Sequence, residues 1–220
     1  MFSVKDCELA REIVRSFDIP KTNFCDGDDF CDTVNSIEKK FPSLHFNYGF
    51  GATRFVLIID ELPFVIKIAF DGTWDYDEDM DDDYYREFPF DYNEKEMEMI
   101  NKLSDNGFGA LVPDMEYLCH HKSHSVYIQT KIPYNSYDSR VKRPSERAIT
   151  ISNSLSLLFT QCNSTWRATV IDLYGEEFWK SFVNWDMANG IGIFEDMHGG
   201  NYGYDVAGHP MFIDVAGYQK

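Results

Sequence analysis

Residues 44–70, LHFNYGFGATRFVLIIDELPFVIKIAF, decide the fold class of this chain. The stretch contains three β-rich runs, which are separated by Gly49 and Gly51 and then by the turn sequence over residues 60–63. Apolar runs of this length that are bounded by turn residues are typical of strands. We therefore predict an antiparallel meander of three strands, with its first turn at the two glycines.

Two helical patterns precede the meander. Residues 4–17 and about 28–40 carry apolar side chains three and four positions apart, and Pro20 and Pro42 end the two segments. Both apolar stripes are expected to pack into a core. We predict an N-terminal helical extension over residues 1–43, which would either cover the smaller lobe or form a dimer contact.

The chain after residue 92 alternates helical and extended patterns. Helices are predicted over residues 93–103, about 151–163 and 172–189, strands at Val112 and over 125–131, a polar linker over 134–149, and short strands from Gly190 to Asp214. This order predicts an α+β protein with a five-stranded antiparallel sheet and one helix inserted after the third strand. The predicted lobes are residues 44–132 and 133–220.

The tract over residues 71–91 is unusually acidic. Asp and Glu occupy most positions between 75 and 83, and Trp74, Tyr84 and Tyr85 flank them. Like charges at this density resist packing, so we expect a solvated, mobile loop. The aromatic flanks leave a second interpretation open, in which this acidic loop docks a protein partner, such as a host protein.

The charge balance restricts the partners of the whole chain. It has 220 residues, with 20 Lys and Arg against 37 Asp and Glu, and a formal net charge of −17. Such a field repels nucleic acids and anionic membranes, so we expect neither as a partner. The charge is compatible with an acidic surface that binds a basic partner or imitates nucleic acid. Any anionic substrate, ATP included, needs a local cationic pocket.

The cysteines and the hydropathy pattern indicate an intracellular protein. The five cysteines are an odd number without zinc-site spacing, and we expect reduced thiols. The segment from Cys119 to His124 could hold a metal ion, but a polar turn between two strands is the favoured interpretation. No apolar run of membrane-spanning length and no signal peptide appear. We expect a cytoplasmic location, in the host cytoplasm if the chain is phage-encoded.

Lys67 stands inside an apolar strand pattern, Phe-Val-Ile-Lys67-Ile-Ala-Phe. A lysine in such a place is costly unless a negative charge pairs with it. The alternative is an edge strand from which the ammonium group reaches solvent. Glu96 is the candidate partner, because Met99 and Ile100 place it beside the apolar face of its helix, with Glu94 in reserve.

Further positions suit a bound nucleotide. Gly49 and Gly51 could bring main-chain amides close to phosphate oxygens, although an ordinary hairpin turn explains them equally well. Val65 shares a strand face with Lys67 and would line an adenine pocket. Gln129 and Lys131, near the end of the strand over 125–131, complete the candidate cofactor-binding residues.

The most specific motif is Asp196-Met-His198-Gly-Gly-Asn201, which is followed by Asp214 at the end of an apolar run. One carboxylate can orient a hydroxyl group, while an amide and a second carboxylate are ligands that Mg²⁺ accepts. His198 could donate a hydrogen bond to a transferred phosphoryl group. Glycines 199, 200 and 203 would let the loop turn sharply. The alternative is a β-turn with Asp and Asn as turn formers.

These residues resemble the protein-kinase-like superfamily, and its bacterial and phage-type members more than eukaryotic protein kinases. The resemblance covers about residue 44 to the end and rests on Gly49-Phe-Gly51, Val65-Ile-Lys67, Glu96, Asp196-Met-His198-Gly-Gly-Asn201 and Asp214-Val-Ala-Gly217. It implies a two-lobed protein-kinase-like fold of class α+β, with ATP and magnesium as cofactors.

The resemblance also implies a role for each matching position. Lys67 would bind the α- and β-phosphates, and Glu96 would hold Lys67. Asp196 would be the catalytic base, with Asn201 and Asp214 as magnesium ligands.

The sequence departs from the family pattern in the second lobe. Phe194-Glu195 replaces the usual His-Arg before the catalytic aspartate, and His198 occupies a position where many protein kinases have lysine. The triplet Asp214-Val-Ala has Gly217 one place late, and few residues follow it. We therefore expect a truncated helical second lobe. It would lack the segment that docks peptide substrates in the family.

Three functions remain as hypotheses from the sequence. The first is an ATP- and magnesium-dependent phosphotransferase, with Asp196 activating a hydroxyl acceptor on a protein, a sugar or an antibiotic. The second is a nucleotide-binding pseudokinase. The third is an acidic interaction protein of phage origin that binds a host protein.

Overall fold

The computed structural model describes residues 2–18, 27–77, 82–135, 138, 140–155, 163–193 and 200–215, with the side chains of 27–29, 75–77, 82 and 83 excepted. The chain belongs to the α+β class, as predicted. It divides into two compact units, the first formed by Met1–Met97 with Asp114–Lys131 and the second by Glu98–Pro113 with Ile132–Lys220.

A five-stranded antiparallel sheet forms the centre of the first unit. Its strands are β1 (Phe46–Phe50), β2 (Arg54–Ile59), β3 (Phe64–Ala69), β6 (Met115–His121) and β7 (His124–Thr130), in the order β1-β2-β3-β7-β6. The predicted meander and the five-stranded sheet are confirmed. β3 lies in the middle of the sheet, with β2 and β7 as its neighbours.

Helices α1 (Val4–Arg15) and α2 (Gly27–Lys40) pack in one core with this sheet, so both predicted helices are confirmed. Ser3 begins α1 with a capping box, because its hydroxyl accepts from the Asp6 amide and the Asp6 carboxylate accepts from the Ser3 amide. The Phe30 ring of α2 stacks on Phe55 of β2 at 5.2 Å. Burying one such side chain contributes roughly 1.5–3 kcal/mol. The helical extension therefore covers the sheet.

The acidic tract contains a hairpin where the sequence predicts a mobile loop. Strands β4 (Gly72–Asp77) and β5 (Asp82–Glu87) pair antiparallel, and Trp74 stands opposite Tyr85. Their rings meet edge to face at 5.7 Å. Aromatic residues favour strands, and a cross-strand pair of this kind adds up to about 1 kcal/mol. The loop prediction is wrong for these strands because it weighed charge and neglected the aromatic pairing; residues 78–81 lie outside the described part.

The segment after the hairpin follows the predicted order with shifted boundaries. Helix α3 spans Tyr92–Asp105, which confirms the helix predicted at 93–103. Val112 lies in no strand, because it ends a short 3-10 helix at Gly109–Leu111. Two hydrogen-bonded strands then begin at Met115 and His124.

The predicted polar turn at Cys119–His124 is shorter than expected. Residues 119–121 belong to β6, and His124 begins β7. The turn therefore consists of Lys122 and Ser123, and Lys122 has a positive φ of 58°. Among the residues that the structure describes, no group of three His, Cys, Asp or Glu side chains could hold a metal ion.

Among its described residues, the second unit combines the end of α3 and three helices of its own with a small antiparallel sheet. The helices are α4 (Glu146–Ser154), α5 (Ser164–Tyr174) and α6 (Glu176–Asn189), and the sheet has the order β10-β9-β8, formed by β8 (Tyr134–Asn135), β9 (Tyr202–Tyr204) and β10 (Pro210–Phe212). Phe108 packs against Phe178, Phe182 and Trp185 on one face of α6.

Three boundaries predicted in this unit are wrong. The segment over 134–149 contains β8 and the start of α4, whose first turn is capped by the Ser145 hydroxyl. The helix predicted at 151–163 ends at Ser154, and residues 156–162 lie outside the described part. The helix predicted at 172–189 is divided by Gly175, whose φ of 94° a helix does not accept.

The helices within the described ranges include none that is both long and apolar enough to cross a lipid bilayer.

We expect Gly203→Ala to destabilise the second unit. A Cβ at Gly203 in β9 would lie 2.4 Å from the main-chain oxygen of Tyr134 in β8, so the strands would have to separate. The expected loss is about 2 kcal/mol in the free energy of unfolding, measured by urea denaturation. Gly49→Ala is the control, because a Cβ at Gly49 meets no atom within 4 Å. Equal midpoints for both variants would contradict the close approach.

Candidate functional site

A buried carboxylate joins two buried cations in the first unit. The Lys67 ammonium group lies 2.8 Å from both carboxylate oxygens of Glu96, and Arg54 Nη1 lies 2.5 Å from Glu96 Oε2. Glu96, Lys67 and Arg54 are 0%, 2% and 4% exposed. These three side chains are called the charge cluster below. Hydrogen bonds between ionised groups are the stronger kind, and burial strengthens them further.

The position of Lys67 is set by the sheet. β3 lies between β2 and β7, and Lys67 stands opposite Val56 on one side and Tyr127 on the other. The alternative of an edge-strand lysine is therefore wrong. Phe64, Ile66 and Ile68 belong to the core that α1 and α2 cover, so strand alternation places Lys67 on the opposite sheet face.

Helix α3 brings Glu96 to this face. Its first turn is capped by Asp91, whose carboxylate accepts from the amides of Asn93 and Glu94. The Asn93 amide group donates to the main-chain oxygens of Lys67 and Ser125, both at 3.1 Å. These bonds fix α3 against β3 and β7. Glu96 is the partner of Lys67 and Glu94 is exposed, so the pairing that the sequence favoured is observed.

Arg54 is the member of the charge cluster that sequence reasoning missed. It is the first residue of β2, directly after the glycine turn, and a charge at a strand end is ordinary. The sequence does contain one signal for Arg54. This residue is two residues from Val56 and four from Ile58, so the two-residue period of a strand places all three side chains on one face. Val56 is the residue opposite Lys67, which assigns that face to Lys67 as well.

A half-buried apolar strip adjoins the charge cluster on this sheet face. Val56 and Ile58 of β2 and Val65 of β3 are each partly exposed, whereas the residues alternating with them are buried. Ile58 and Val65 are direct neighbours across the two strands. The predicted position of Val65 on the face of Lys67 is thus observed.

Gly49 and Gly51 have open surroundings, but only Gly51 lies in the first turn, so the predicted place of Gly49 in that turn is wrong. Gly49 lies within β1, and Gly51 follows the strand and donates its amide to the Arg54 oxygen at 3.0 Å. A Cβ at either position would meet no atom within 4 Å, and neither residue has a positive φ. The fold of the first unit therefore does not itself require glycine at these two positions.

Two predicted nucleotide-binding residues have structural contacts. Gln129 is buried in β7 opposite Val65. The Lys131 ammonium group donates to the main-chain oxygens of Ile59 and Asp60, at 2.8 and 3.3 Å. Lys131 therefore stabilises the turn between β2 and β3.

Tyr127 borders the charge cluster without adding charge to it. It stands opposite Lys67 on β7. Burial, together with the negative charges of Glu94 and Asp91, raises the pKa of Tyr127 to about 12. The phenol is therefore neutral at physiological pH.

The two residues predicted as metal ligands are main-chain neighbours in the second unit. The main-chain oxygen of Asn201 accepts from the amides of Ile213 and Asp214, at 2.7 and 3.4 Å. These bonds extend the pairing of β9 with β10 and bring Asn201 beside Asp214. An amide and a carboxylate are oxygen ligands that Mg²⁺ accepts. The predicted residues Asp196 and His198 lie outside the described part.

The role predicted for Gly203 is wrong. It belongs to β9 and permits the close approach of β8, so it is not part of the turn before Asn201. Gly200 lies in a turn, as predicted, and Gly199 lies outside the described part.

We expect Glu96→Ala to lower the free energy of unfolding by about 3 kcal/mol or more, because it removes the carboxylate from two buried cations. Glu94→Ala is the matched control on the same helix. It should cost no more than about 1 kcal/mol, the contribution of an exposed carboxylate in a first helical turn. Chemical denaturation measures both, and similar losses would contradict the central place of Glu96.

Comparisons of this chain with protein-family models, with curated proteins and with solved structures found no match.

Proposed function

We propose that this chain is an ATP- and magnesium-dependent phosphotransferase that transfers the γ-phosphate to a hydroxyl acceptor. The observation that carries the proposal is the buried pair of Lys67 and Glu96 on the central strand of the sheet. We also propose that its architecture is protein-kinase-like. The antiparallel sheet, and a helix after its third strand that supplies a carboxylate to a strand lysine, support this.

The charge cluster suits phosphate binding. The chain carries a net charge of −17, so an anionic nucleotide needs a place where positive charge is concentrated. Lys67 and Arg54 bring two cations to one carboxylate, and burial reduces the screening of their charges. Glu96 fixes the direction of the ammonium group, which preorganises it for the phosphates.

Two neighbouring features suit the rest of the nucleotide. The strip formed by Val56, Ile58 and Val65 offers an apolar surface for an adenine ring. The space beside Gly49 and Gly51 is open, although the fold does not require glycine at these positions. A close approach of phosphate oxygens to main-chain amides would require such open space. Lys131 is bound to carbonyl groups of a turn, and we give it no part in nucleotide binding.

Metal binding is assigned to Asn201 and Asp214. Mg²⁺ commonly takes one or two protein ligands and keeps water and phosphate oxygens in its other positions, so two oxygen donors suffice. The metal would neutralise charge on the phosphates. Asp196 would accept the proton of the attacking hydroxyl group, and His198 would donate to the transferred phosphoryl group.

Nucleotide binding is tested first with the Lys67→Met variant. The expected result is a loss of the ATP-dependent rise in melting temperature in the presence of Mg²⁺, because the phosphates lose their cation. Lys102→Met is the control, since Lys102 is exposed on α3. Circular dichroism verifies that both variants fold. Unchanged ATP stabilisation of folded Lys67→Met would overturn the role of the charge cluster.

Phosphoryl transfer is tested with γ-labelled ATP, Mg²⁺ and a panel of hydroxyl acceptors. We expect Asp196→Asn and Asp214→Asn to lower label transfer about 100-fold or more, since each removes a carboxylate that the reaction uses. Asp105→Asn is the control, with the same change of charge at an exposed site. Label transfer that persists in both catalytic variants would sink the assignment. ATP stabilisation without any transfer would indicate the pseudokinase.

A further inference from the structure

A pocket lies in the first unit, beside the β4–β5 hairpin. Its volume is about 840 Å³. The end of β3, the hairpin, the start of α3 and the turn between β6 and β7 form its wall. The residues that line this pocket include Asp71, Trp74, Tyr85, Glu87, Phe88 and His124. This space is called the hairpin pocket.

Aromatic rings form much of the hairpin pocket. Trp74 and Tyr85 are 40% and 39% exposed although they pack edge to face on each other. Phe88 contributes a third ring. Exposed rings of this size at the rim of a cavity are typical of binding sites. Phe90, a fourth ring, already has the Lys95 ammonium group 5.5 Å from its centre, so a positive charge is accepted against this wall.

Carboxylates supply negative charge on the pocket wall. Asp71, Glu87 and Asp91 line it, and no Lys or Arg is present among the described residues of the wall. Asp71 accepts from the Ser123 hydroxyl at 2.7 Å, and Asp91 caps α3. The Glu87 side chain makes no hydrogen bond or ion pair with any residue in the described part of the chain. It is therefore available to a ligand.

His124 adds a ring nitrogen to this wall. The side chain is 2% exposed, and its Nδ1 lies 2.9 Å from the Ala69 oxygen and 3.3 Å from Asp71 Oδ1. A carbonyl oxygen only accepts, so Nδ1 carries a proton, and in the neutral ring Nε2 is an acceptor. Within the ranges that the structure describes, Nε2 has no hydrogen-bond partner. Since Nε2 is not among the fully buried atoms without a partner, it is an accessible acceptor on the pocket wall, which suits a ligand that donates hydrogen bonds.

We propose that the hairpin pocket binds an arginine side chain of a partner polypeptide. A guanidinium group carries five N–H donors and no acceptor, which complements the Glu87 carboxylate and His124 Nε2. It is planar and stacks on aromatic faces such as that of Trp74. Lysine has a compact, strongly hydrated charge and gains less from a ring wall.

The surroundings favour a polypeptide over a small cation. In the sequence, Asp75, Asp77, Asp82 and Asp83 adjoin the aromatic residues of the pocket, so this tract carries further negative charge. A segment with a second basic residue gains from these additional charges, whereas a single small cation does not. The proposal does not depend on phosphoryl transfer, and it assigns the acidic tract a specific occupant.

The test uses the full-length chain and a synthetic nonapeptide, Ser-Gly-Ser-Arg-Gly-Arg-Ser-Gly-Ser, with affinity measured by ¹H–¹⁵N NMR titration. We expect at least tenfold weaker binding when citrulline, a neutral isostere, replaces both arginines. Trp74→Leu should weaken binding of the arginine peptide about fivefold. Tyr117→Leu is the control, because Tyr117 is an exposed ring on β6 outside the pocket, 45% exposed.

A second pair of variants tests the negative charge. Glu87→Gln should weaken binding several-fold, and Glu8→Gln, an equal change of charge on α1, should leave it unchanged. Equal weakening by both would show a general effect of net charge and overturn the pocket. Equal affinity of the citrulline or lysine peptide would overturn the guanidinium assignment. Equal affinity of N-acetyl-arginine amide alone would overturn the polypeptide as occupant.

Discussion

The fully buried carboxylate of Glu96 is the constraint on which the first unit depends. A buried charge is tolerated only when hydrogen-bonded partners replace water, and here Lys67 and Arg54 do so from two neighbouring strands. An apolar trio of similar size would often be at least as stable. The cluster is therefore weak evidence for stability, and it is consistent with the proposed function, which needs fixed cations on this sheet face.

The two faces of the sheet have different tasks, and strand alternation separates them. One face carries the large apolar side chains that α1 and α2 cover, and it supplies most of the burial in this unit. The opposite face carries the charge cluster and the strip of Val56, Ile58 and Val65. Since successive residues point to opposite faces, one short segment such as β3 can serve the core and a site at once.

Sequence reasoning found Lys67 and Glu96 because both break a strong local pattern. A lysine within an apolar strand and a glutamate beside the apolar face of a helix each call for a partner. Arg54 stands at the first position of its strand, where a charge breaks no pattern, so only the folded sheet shows that it is buried. The hairpin of the acidic tract was missed for a related reason, because the pairing of Trp74 with Tyr85 depends on contacts across strands.

A chain with a net charge of −17 can hold sites for ligands of opposite charge only if local groups dominate the distant ones. Salt screens exposed charges over about 8–10 Å, so most surface carboxylates contribute little at a given site. Burial removes that screening for Lys67 and Arg54, which concentrates positive charge on one sheet face. At the hairpin pocket the local groups have the same sign as the whole chain, so net charge assists the approach of a cation. The two proposed sites are therefore compatible within one acidic unit, because burial of the cations would separate the charge that each presents to a ligand.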